Sequence, residues 1–348
     1  MPLQVAVGYA SLTGPRERNE DFCGLATPAG LELENKGVIA AVADGIGGHK
    51  GGREAAEYSV RGLLADYYAT PDTWSVPRAI ETVTTALNRW VIAEASRNAE
   101  LAGMATTLSA LVLRGRRYYT AHIGDSRIYR MQRGRLAALT VDHIWEHPEL
   151  RNVLSRAVGL DPRVLMDFAD GELMLNDRFL LVSDGVWGVL ADALMAEVLL
   201  DHPEPRAAAA ALTSLALAHG GTDNATAVVI DVLALPPPSL RDSLESAAGL
   251  PLPHRLKVGH EIDGLAVEEV LHDARETLLY RVRNRRNGQQ LVLKTLQPTL
   301  QGDAGASAAL LMEEWRARRV LSPCFPQVVP SDERSALYYL MTWHAGAT

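Results

Sequence analysis

The sequence predicts an α+β fold in which helices cover packed β-sheets, followed by a second, smaller β-rich domain. Three observations support this prediction. Short runs rich in β-branched and aromatic residues are bounded by turn residues over residues 1–235. Longer stretches with apolar residues at helical spacing separate some of these runs. A proline-rich stretch then interrupts every periodic pattern.

The elements of the first part can be placed in order along the chain. The predicted strands are LQVAVGYASL, GVIAAVADG, TTLSALVLRG, RYYTAHIGDSRIYRMQRG, RFLLVSDG and ATAVVIDVL. Helices are predicted at about residues 53–69, 76–100, 187–200 and 204–219.

The domain organisation follows from the proline-rich stretch. PPPSLRDSLESAAGLPLPHR combines clustered prolines with small polar residues, which makes residues 236–256 the best linker candidate. A chain of 348 residues is long for one average domain. We therefore expect one domain over residues 1–235 and another over residues 257–348.

Composition excludes several classes of protein. The formal net charge of −8 argues against a nucleic-acid partner, which a basic surface would favour. The acidic excess lies before residue 236, where 29 acidic residues face 21 basic ones; it suits a cation-binding cleft, or scattered surface acids. Cys23 and Cys324 predict neither a disulfide framework nor a thiolate zinc site, so a cytoplasmic location fits. We expect no signal peptide and no membrane span.

Acidic residues recur where the predicted apolar strands stop or start. The set comprises Glu20, Asp21, Asp44, Asp125, Asp184 and Asp223. A single Asp-Gly at a strand end is usually an ordinary turn. Together, acidic groups without histidine or cysteine indicate a site for a hard cation such as Mg²⁺ or Mn²⁺.

Such a cluster suggests a class of chemistry. Clustered carboxylates repel each other unless cations offset their charge. Two neighbouring ions can also convert a bridging water into hydroxide at neutral pH, and a phosphate ester is the natural target. Arg16 adds a planar donor that can grip phosphate oxygens bidentately.

The motifs RERNED, VADGIGGH, HIGDSRIY, LLVSDGVWG and GGTDNATAV occur in this order. In residues and spacing they resemble the motif series of the metal-dependent type 2C serine/threonine protein phosphatases, over roughly residues 4–235. The resemblance implies a four-layer αββα sandwich of two antiparallel sheets, with a two-metal site at one end. It implies hydrolysis of phosphoserine and phosphothreonine in proteins, by in-line attack of a hydroxide that bridges two Mn²⁺ or Mg²⁺ ions.

The resemblance also assigns roles to individual residues. Asp44 would bridge both ions and Arg16 would bind phosphate. The remaining assignments are Asp184 and Asp223 on one ion, Glu20 and the Gly45 carbonyl on the other, Asp125 with Asp184 on a weaker third ion, and Asp21 and Asn224 as residues that orient ligands. The stretch MATT, residues 104–107, would shape the sheet near the metals, whereas Trp187 reads as core packing.

Two features depart from the family pattern. Ile46 stands where many eukaryotic relatives carry a histidine proposed as general acid, so leaving-group protonation would fall to water. The segment LTVDHIWEHPELRNVLSRAVG passes quickly from an LTxDH motif to NVLSRAVG, so the family's flap over the active site is expected to be short or absent.

The second segment has a weaker resemblance. VEEVLHDARETLLYRVRNRRNGQQLVLKTL predicts paired strands, and SAALLMEEWRARRVLS predicts a helix. They resemble the N-terminal lobe of a protein kinase, in which Lys294 and a helical glutamate, Glu314 in preference to Glu313, would position ATP phosphates. His272, Ala274 and Thr277 replace the kinase glycines, and the sequence as given ends before any HRD or DFG motif, so no kinase activity is expected of it alone. A small β-rich accessory domain remains open.

Two other functions remain open. A pseudophosphatase would bind a phosphoprotein or a kinase without hydrolysis. A regulatory pair would use the phosphatase domain to reverse phosphorylation of an attached kinase, as the resemblance to bacterial phosphatase-kinase fusions suggests. The expected partners are therefore a phosphorylated protein and a kinase or the rest of a kinase domain.

Overall fold

The computed structural model describes residues 2–46, 50–145, 153–239, 242, 250–320, 322, 324–331 and 334–344. The chain forms two compact units, Met1–Pro237 and Pro238–Thr348. Among the described residues, no helix combines the length and the apolar character needed to cross a bilayer. Both cysteines are free thiols.

The first unit contains strands and helices in mixed order. Its strands are β1 (Gln4–Leu12), β2 (Phe22–Ala26), β3 (Val38–Ala43), β4 (Gly45–Ile46), β5 (Ala105–Thr106), β6 (Leu108–Arg114), β7 (Arg117–Ile123), β8 (Arg127–Gln132), β9 (Arg135–Ala138), β10 (Asp167–Glu172), β11 (Arg178–Val182) and β12 (Ala225–Ala234). Its helices are α1 (Gly30–Lys36), α2 (Lys50–Ala69), α3 (Val76–Arg97), α4 (Asp184–Trp187), α5 (Asp192–Asp201) and α6 (Pro205–Ala218), with a 3₁₀ turn at Ala99–Leu101.

Ten of these strands form two antiparallel sheets. Sheet I has the order β1-β12-β11-β8-β9, and sheet II has the order β10-β7-β6-β3-β2. Strands β4 and β5 form a separate short pair. The predicted α+β class is confirmed.

Three apolar layers hold the first unit together. Alternate residues of β3 point to opposite sides, so Val38, Ala40 and Val42 lie between the two sheets while the intervening residues pack under α2 and α3. Sheet I packs its outer face against α5 and α6 in the same way. The layer order is therefore helix, sheet, sheet, helix.

Two predicted helices have different ends in the structure. The helix predicted at 187–200 begins later, as α5 at Asp192, because α4 ends at Trp187 before Gly188. The spacing of apolar residues gave too little weight to Gly188, a residue type that commonly ends helices. The helix predicted to reach residue 100 ends at Arg97, and Asn98 caps the 3₁₀ turn that follows.

Within its described residues, the second unit contains a six-stranded antiparallel sheet and one long helix. Its elements are β13 (Glu261–Ile262), β14 (Leu265–Asp273), β15 (Thr277–Asn284), β16 (Gln290–Leu296), a 3₁₀ turn at Pro298–Leu300, α7 (Ala304–Ala317), β17 (Val328–Val329) and β18 (Tyr338–Thr342). The strand order is β13-β14-β15-β16-β18-β17. Leu310 and Leu311 of α7 pack beside Leu296 and Tyr339.

The predicted linker, residues 236–256, overlaps the second unit. Leu252 and Leu256 are buried in its two cores. The Leu337 amide also donates to the Pro251 carbonyl at 2.8 Å. Prolines mark this stretch as irregular, but its leucines carry apolar surface that packs against the sheet.

Candidate active site

Asp44 lies at the end of β3, and two threonines fix its backbone. The Asp44 amide donates to Thr107 Oγ1 at 2.8 Å. The Asp44 carbonyl accepts from Thr106 Oγ1 at 2.8 Å and from the Thr107 amide at 2.9 Å. The MATT stretch therefore holds Asp44 at the junction of β3 and the β4-β5 pair.

Asp184 enters the same region from sheet I. It is the first residue of α4 and follows β11 after one intervening residue, Ser183. A Cβ on Gly185 would lie 1.8 Å from the Asn224 carbonyl oxygen. Only glycine permits this close approach, which brings the start of α4 against the loop that carries Asp223.

Asn224 connects that loop to the N-terminal segment. Its side-chain oxygen accepts from the Glu20 amide at 2.7 Å. Its side-chain nitrogen donates to the Thr13 and Arg18 carbonyls at 2.8 and 2.9 Å. Because both the oxygen and the nitrogen of the Asn224 side chain form hydrogen bonds with the N-terminal segment, Asn224 holds the Glu20 segment beside Asp223.

Asp21 is buried next to these residues, at 1% exposure. It accepts a hydrogen bond from Ser183 Oγ at 2.7 Å, and Ser183 Oγ accepts from the Thr226 amide at 3.1 Å. Burial, together with the nearby carboxylates of Asp184 and Asp223, raises the pKa of Asp21 to about 6. Asp21 therefore links the strand that follows it to the end of β11.

Glycines give the backbone around Glu20 its close packing. A Cβ on Gly45 would lie 2.2 Å from the Gly52 carbonyl oxygen. A Cβ on Gly52 would lie 3.0 Å from Glu20 Oε2, and the Gly45 amide donates to the Glu20 carbonyl at 3.3 Å. The Glu20 side chain and the Gly45 backbone are thus neighbours.

Negative charge is concentrated around Asp44. Burial raises its pKa well above the usual value, and the carboxylates of Asp21, Asp184 and Asp125 raise it further. The pKa of Asp184 is raised as well, first by burial. Buried carboxylates this close to one another disfavour full ionisation unless a cation offsets their charge.

Asp125 lies in the turn between β7 and β8. Burial raises its pKa to about 7, with further contributions from Asp184 and Asp142. Its carbonyl accepts from the indole Nε1 of Trp187 at 2.9 Å. The electrostatic coupling to Asp184 indicates that Asp125 belongs to the same acidic region.

Arg16 lies at the exposed side of the site. Its Nη2 donates to Asp223 Oδ2 at 2.6 Å, and its Nε donates to the Thr222 carbonyl at 3.2 Å. The Arg16 side chain is 57% exposed. Because exposed ion pairs contribute little to stability, Arg16 can exchange Asp223 for another anion at small cost.

The donor set fits a hard divalent cation. The acidic side chains are oxygen donors. Burial, and after it their mutual repulsion, raises the pKa values of Asp44, Asp125 and Asp184. In the described part of the chain, no three Asp, Glu, His or Cys side chains are grouped so as to hold one ion between them. One predicted ligand, Asp223, is paired with Arg16 in this structure.

The structure thus brings the predicted site residues of the first unit to one end of the sandwich. Sequence reasoning did not assign a role to Ser183, and it interpreted Trp187 as core packing alone. No spacing rule signals a hydroxyl or an indole that binds a neighbouring backbone group. The prediction of a short flap falls on residues 146–152, which lie outside the described residues; Ile144 and Leu154 on either side form an antiparallel bridge.

The predicted pair in the second unit is partly different from expectation. Lys294 Nζ lies 2.5 Å from Glu313 Oε1, not beside Glu314. Glu314 is buried and pairs with Arg318 at 2.6 Å and with Arg334 at 3.0 Å. Adjacent residues of a helix point in different directions, so only one of the two glutamates can face β16.

Acidic oxygen donors and an exposed arginine at one end of a helix-sheet-sheet-helix sandwich define a metal-dependent phosphohydrolase. The sequence profile described as Protein phosphatase 2C matches residues 16–222, and the chain belongs to this family.

Known relatives agree with this assignment. The serine/threonine phosphatase stp of Listeria innocua is 31% identical over 235 residues, covering 62% of this chain and 91% of that protein. The structure of PppA from Pseudomonas aeruginosa is 32% identical, with a TM-score of 0.57, and covers 66% of this chain and 98% of that one. The catalytic domain of the phosphatase PstP, solved with two manganese ions, is 30% identical, with a TM-score of 0.56, and covers 66% of this chain and all of that one.

The predicted activity, a metal-dependent protein serine/threonine phosphatase, is confirmed, and so is the predicted use of Mn²⁺ or Mg²⁺. The alternative of a pseudophosphatase is not favoured by these relatives. The substrate class is phosphorylated protein.

Proposed function

We propose that the first unit hydrolyses phosphoserine and phosphothreonine esters at the acidic end of its sandwich. The observation that carries the proposal is the convergence of carboxylates from both sheets on Asp44, which is electrostatically coupled to Asp21, Asp125 and Asp184. A bound cation stabilises such a group of acids in their ionised form.

The ligand roles are those that the resemblance to the phosphatase family implies. Asp44 would contact two ions, with Asp184 and Asp223 on one and Glu20 with the Gly45 carbonyl on the other. Asp125 with Asp184 would hold a weaker third ion. When bound, the ions lower the pKa of a water molecule and offset the negative charge of the phosphate.

Residues that touch these ligands would orient them. Thr106 and Thr107 fix the backbone of Asp44. Asn224 holds the Glu20 segment, and Asp21 links that segment to Ser183. Such contacts reduce the freedom of a ligand to turn away from its ion.

Arg16 would hold the phosphate group. Its guanidinium is exposed beside Asp223, and its planar fork matches two phosphate oxygens. Ile46, two residues after Asp44, has no proton to give, so the leaving serine or threonine alkoxide would take its proton from water.

The experiment measures phosphate release from a phosphothreonine peptide with added Mn²⁺, then with a chelator, then with Mn²⁺ restored. We expect activity that disappears and returns. Asp184→Asn should remove most of it, whereas Asp201→Asn, an exposed acid at the end of α5, should not. Folded protein that binds Mn²⁺ without releasing phosphate would overturn the proposal.

We also propose that the second unit is an N-lobe-like nucleotide-binding module. The contact between Lys294 on the sheet and Glu313 on α7 supports it, because this pairing positions a lysine for phosphate in protein kinases. The expected partner is then the rest of a kinase domain, and the free thiols of Cys23 and Cys324 suit a cytoplasmic setting.

Nucleotide binding tests this second proposal. A fluorescent ATP analogue should bind the whole chain with Mg²⁺. Lys294→Met should weaken that binding by about tenfold, the loss of one charged phosphate contact. Lys257→Met, at an exposed lysine outside the pair, is the matched control. Equal binding by wild type and both variants would contradict the assignment of Lys294.

A further inference from the structure

Trp187 connects two of the acids assigned to the metal centre. It is the last residue of α4, the helix that begins with Asp184. Its indole Nε1 donates to the Asp125 carbonyl at 2.9 Å. A single helical turn therefore joins the carboxylate of Asp184 to the group that holds the backbone of Asp125.

An arginine–aspartate pair supports the Trp187 ring. The guanidinium carbon of Arg127 lies 3.4 Å from the centre of that ring. Arg127 Nε and Nη2 donate to the two carboxylate oxygens of Asp142 at 2.9 and 2.8 Å. The pair is largely buried, with 25% of Arg127 and 13% of Asp142 exposed. A bidentate pair of this kind fixes the plane of the guanidinium, and so the ring that stacks on it.

The segment that carries Asp142 also holds the turn on the other side of Asp125. His143 Nδ1 accepts from the Gly124 amide at 3.1 Å, and the His143 amide donates to the Gly124 carbonyl at 2.7 Å. Thr140 Oγ1 accepts from the Ile128 amide at 3.1 Å. The motif LTVDH is thus bonded along the turn that contains Asp125.

These contacts oppose the electrostatic repulsion between Asp125 and Asp184. Asp125 and Asp184 are both acidic and electrostatically coupled, so repulsion favours moving the Asp125 turn away from α4. The indole hydrogen bond resists that movement from α4 itself. A ligand held in place in advance loses less entropy when an ion binds.

We propose that Trp187, supported by Arg127 and Asp142, positions Asp125 against Asp184 and thereby sets the affinity of the weaker third ion. This inference rests on the proposed ligand roles of Asp125 and Asp184. None of the three supporting residues needs to contact the ion. They are positioning residues.

The test is a calorimetric titration of the whole chain with Mn²⁺. Trp187→Phe removes the indole donor and keeps a ring under Arg127. We expect the tight binding phase to be unchanged and the weak phase to be about fivefold weaker, the equivalent of about 1 kcal/mol for one hydrogen bond. Trp74→Phe is the matched control, because Trp74 also stacks against an arginine, Arg78, but lies in the segment just before α3.

Asp142→Asn provides a second route that leaves the indole in place. It loosens the Arg127 fork, and we expect it to weaken the same phase by about twofold, a few tenths of a kcal/mol. Melting temperatures without metal identify any variant that fails to fold. If both variants bind the weak ion as the wild type does, the inference is wrong.

Titration of the wild type with Mn²⁺ distinguishes failure of this inference from failure of the proposed function. Tight binding without any weak phase would overturn the inference and leave the two-ion phosphatase in place. Absence of all Mn²⁺ binding, with no phosphate release, would overturn both. Loss of the weak phase in Trp74→Phe as well would overturn the specific role of the indole bond.

Discussion

The two ends of the sandwich differ in how their acidic side chains are paired. At the end where β11 begins and β12 approaches its end, Asp231 receives a bidentate pair of bonds from Arg178, both at 2.6 Å. Asp177, at 1% exposure, pairs with Arg130 there. Each buried acid at this end has an arginine, as stable burial of charge requires.

The opposite end gathers acids around one another. Among the described residues, no arginine or lysine forms an ion pair with Asp21, Asp44 or Asp125. The pKa values of all three are raised, first by burial. Acids paired with arginine stabilise the fold. Acids that repel one another are suited to binding a cation from solution. The comparison predicts opposite effects for similar substitutions at the two ends.

The largest effect is expected for Asp44→Asn. Loss of this carboxylate should lower kcat/KM with a phosphothreonine peptide by about a thousandfold, or about 4 kcal/mol of transition-state stabilisation. Without metal, the variant should melt at the same temperature as the wild type or higher, because one repelling acid is removed. With Mn²⁺, it should gain less stability than the wild type does.

The two measurements on Asp44→Asn check each other. Activity is read by phosphate release, and folding by thermal melting with and without Mn²⁺. A variant that melts far below the wild type in the absence of metal would show that Asp44 supports the fold, as Asp231 does, and would break the contrast between the ends.

Asp231→Asn should have the reverse outcome. Arg178 would lose its bidentate partner in a nearly buried position, which costs about 3 kcal/mol of unfolding free energy. Chemical denaturation measures this loss. At a temperature where the variant is folded, its kcat and its Mn²⁺ dependence should match those of the wild type. A changed Mn²⁺ dependence would contradict the proposed difference between the two ends of the sandwich.

The same distinction applies within the second unit. Glu314 is 8% exposed and bonded to two arginines, whereas Glu313 is 47% exposed beside Lys294. Glu314→Gln should therefore cost about 2 kcal/mol of unfolding free energy, and Glu313→Gln less than about 1 kcal/mol. Nucleotide binding should respond in the opposite order. Equal destabilisation by the two variants would remove the basis for assigning Glu313 to a site.

Residue patterns alone predicted helices covering packed sheets and acids at the strand ends, whereas the four-layer order came from the family resemblance. The continuous apolar runs in VIAAVA and ATAVVIDVL predict strands buried on both sides, and strand ends place Asp44, Asp184 and Asp223 together. These features depend on period and position, which a single sequence displays directly.

The features that the sequence left open depend on the direction in which a side chain points and on contacts between segments distant in the chain. The choice between Glu313 and Glu314 depends on the rotation of α7, which adjacent identical residues cannot reveal. The role of Trp187 depends on one indole nitrogen meeting the backbone of Asp125, 62 positions away. The late start of the helix predicted at 187–200 follows from Gly188, which ends the short helix α4.

The smallest effect is expected for Arg16→Lys. Lysine keeps the charge but replaces the planar fork by a single ammonium, so KM for the phosphopeptide should rise about tenfold, or about 1.4 kcal/mol. The Arg16–Asp223 pair is exposed, so the unfolding free energy should change by less than about 0.5 kcal/mol. Steady-state kinetics and denaturation separate the two quantities. A stability loss with unchanged KM would mean that Arg16 acts as Arg178 does at the other end, as the partner of a structural acid rather than as a phosphate ligand.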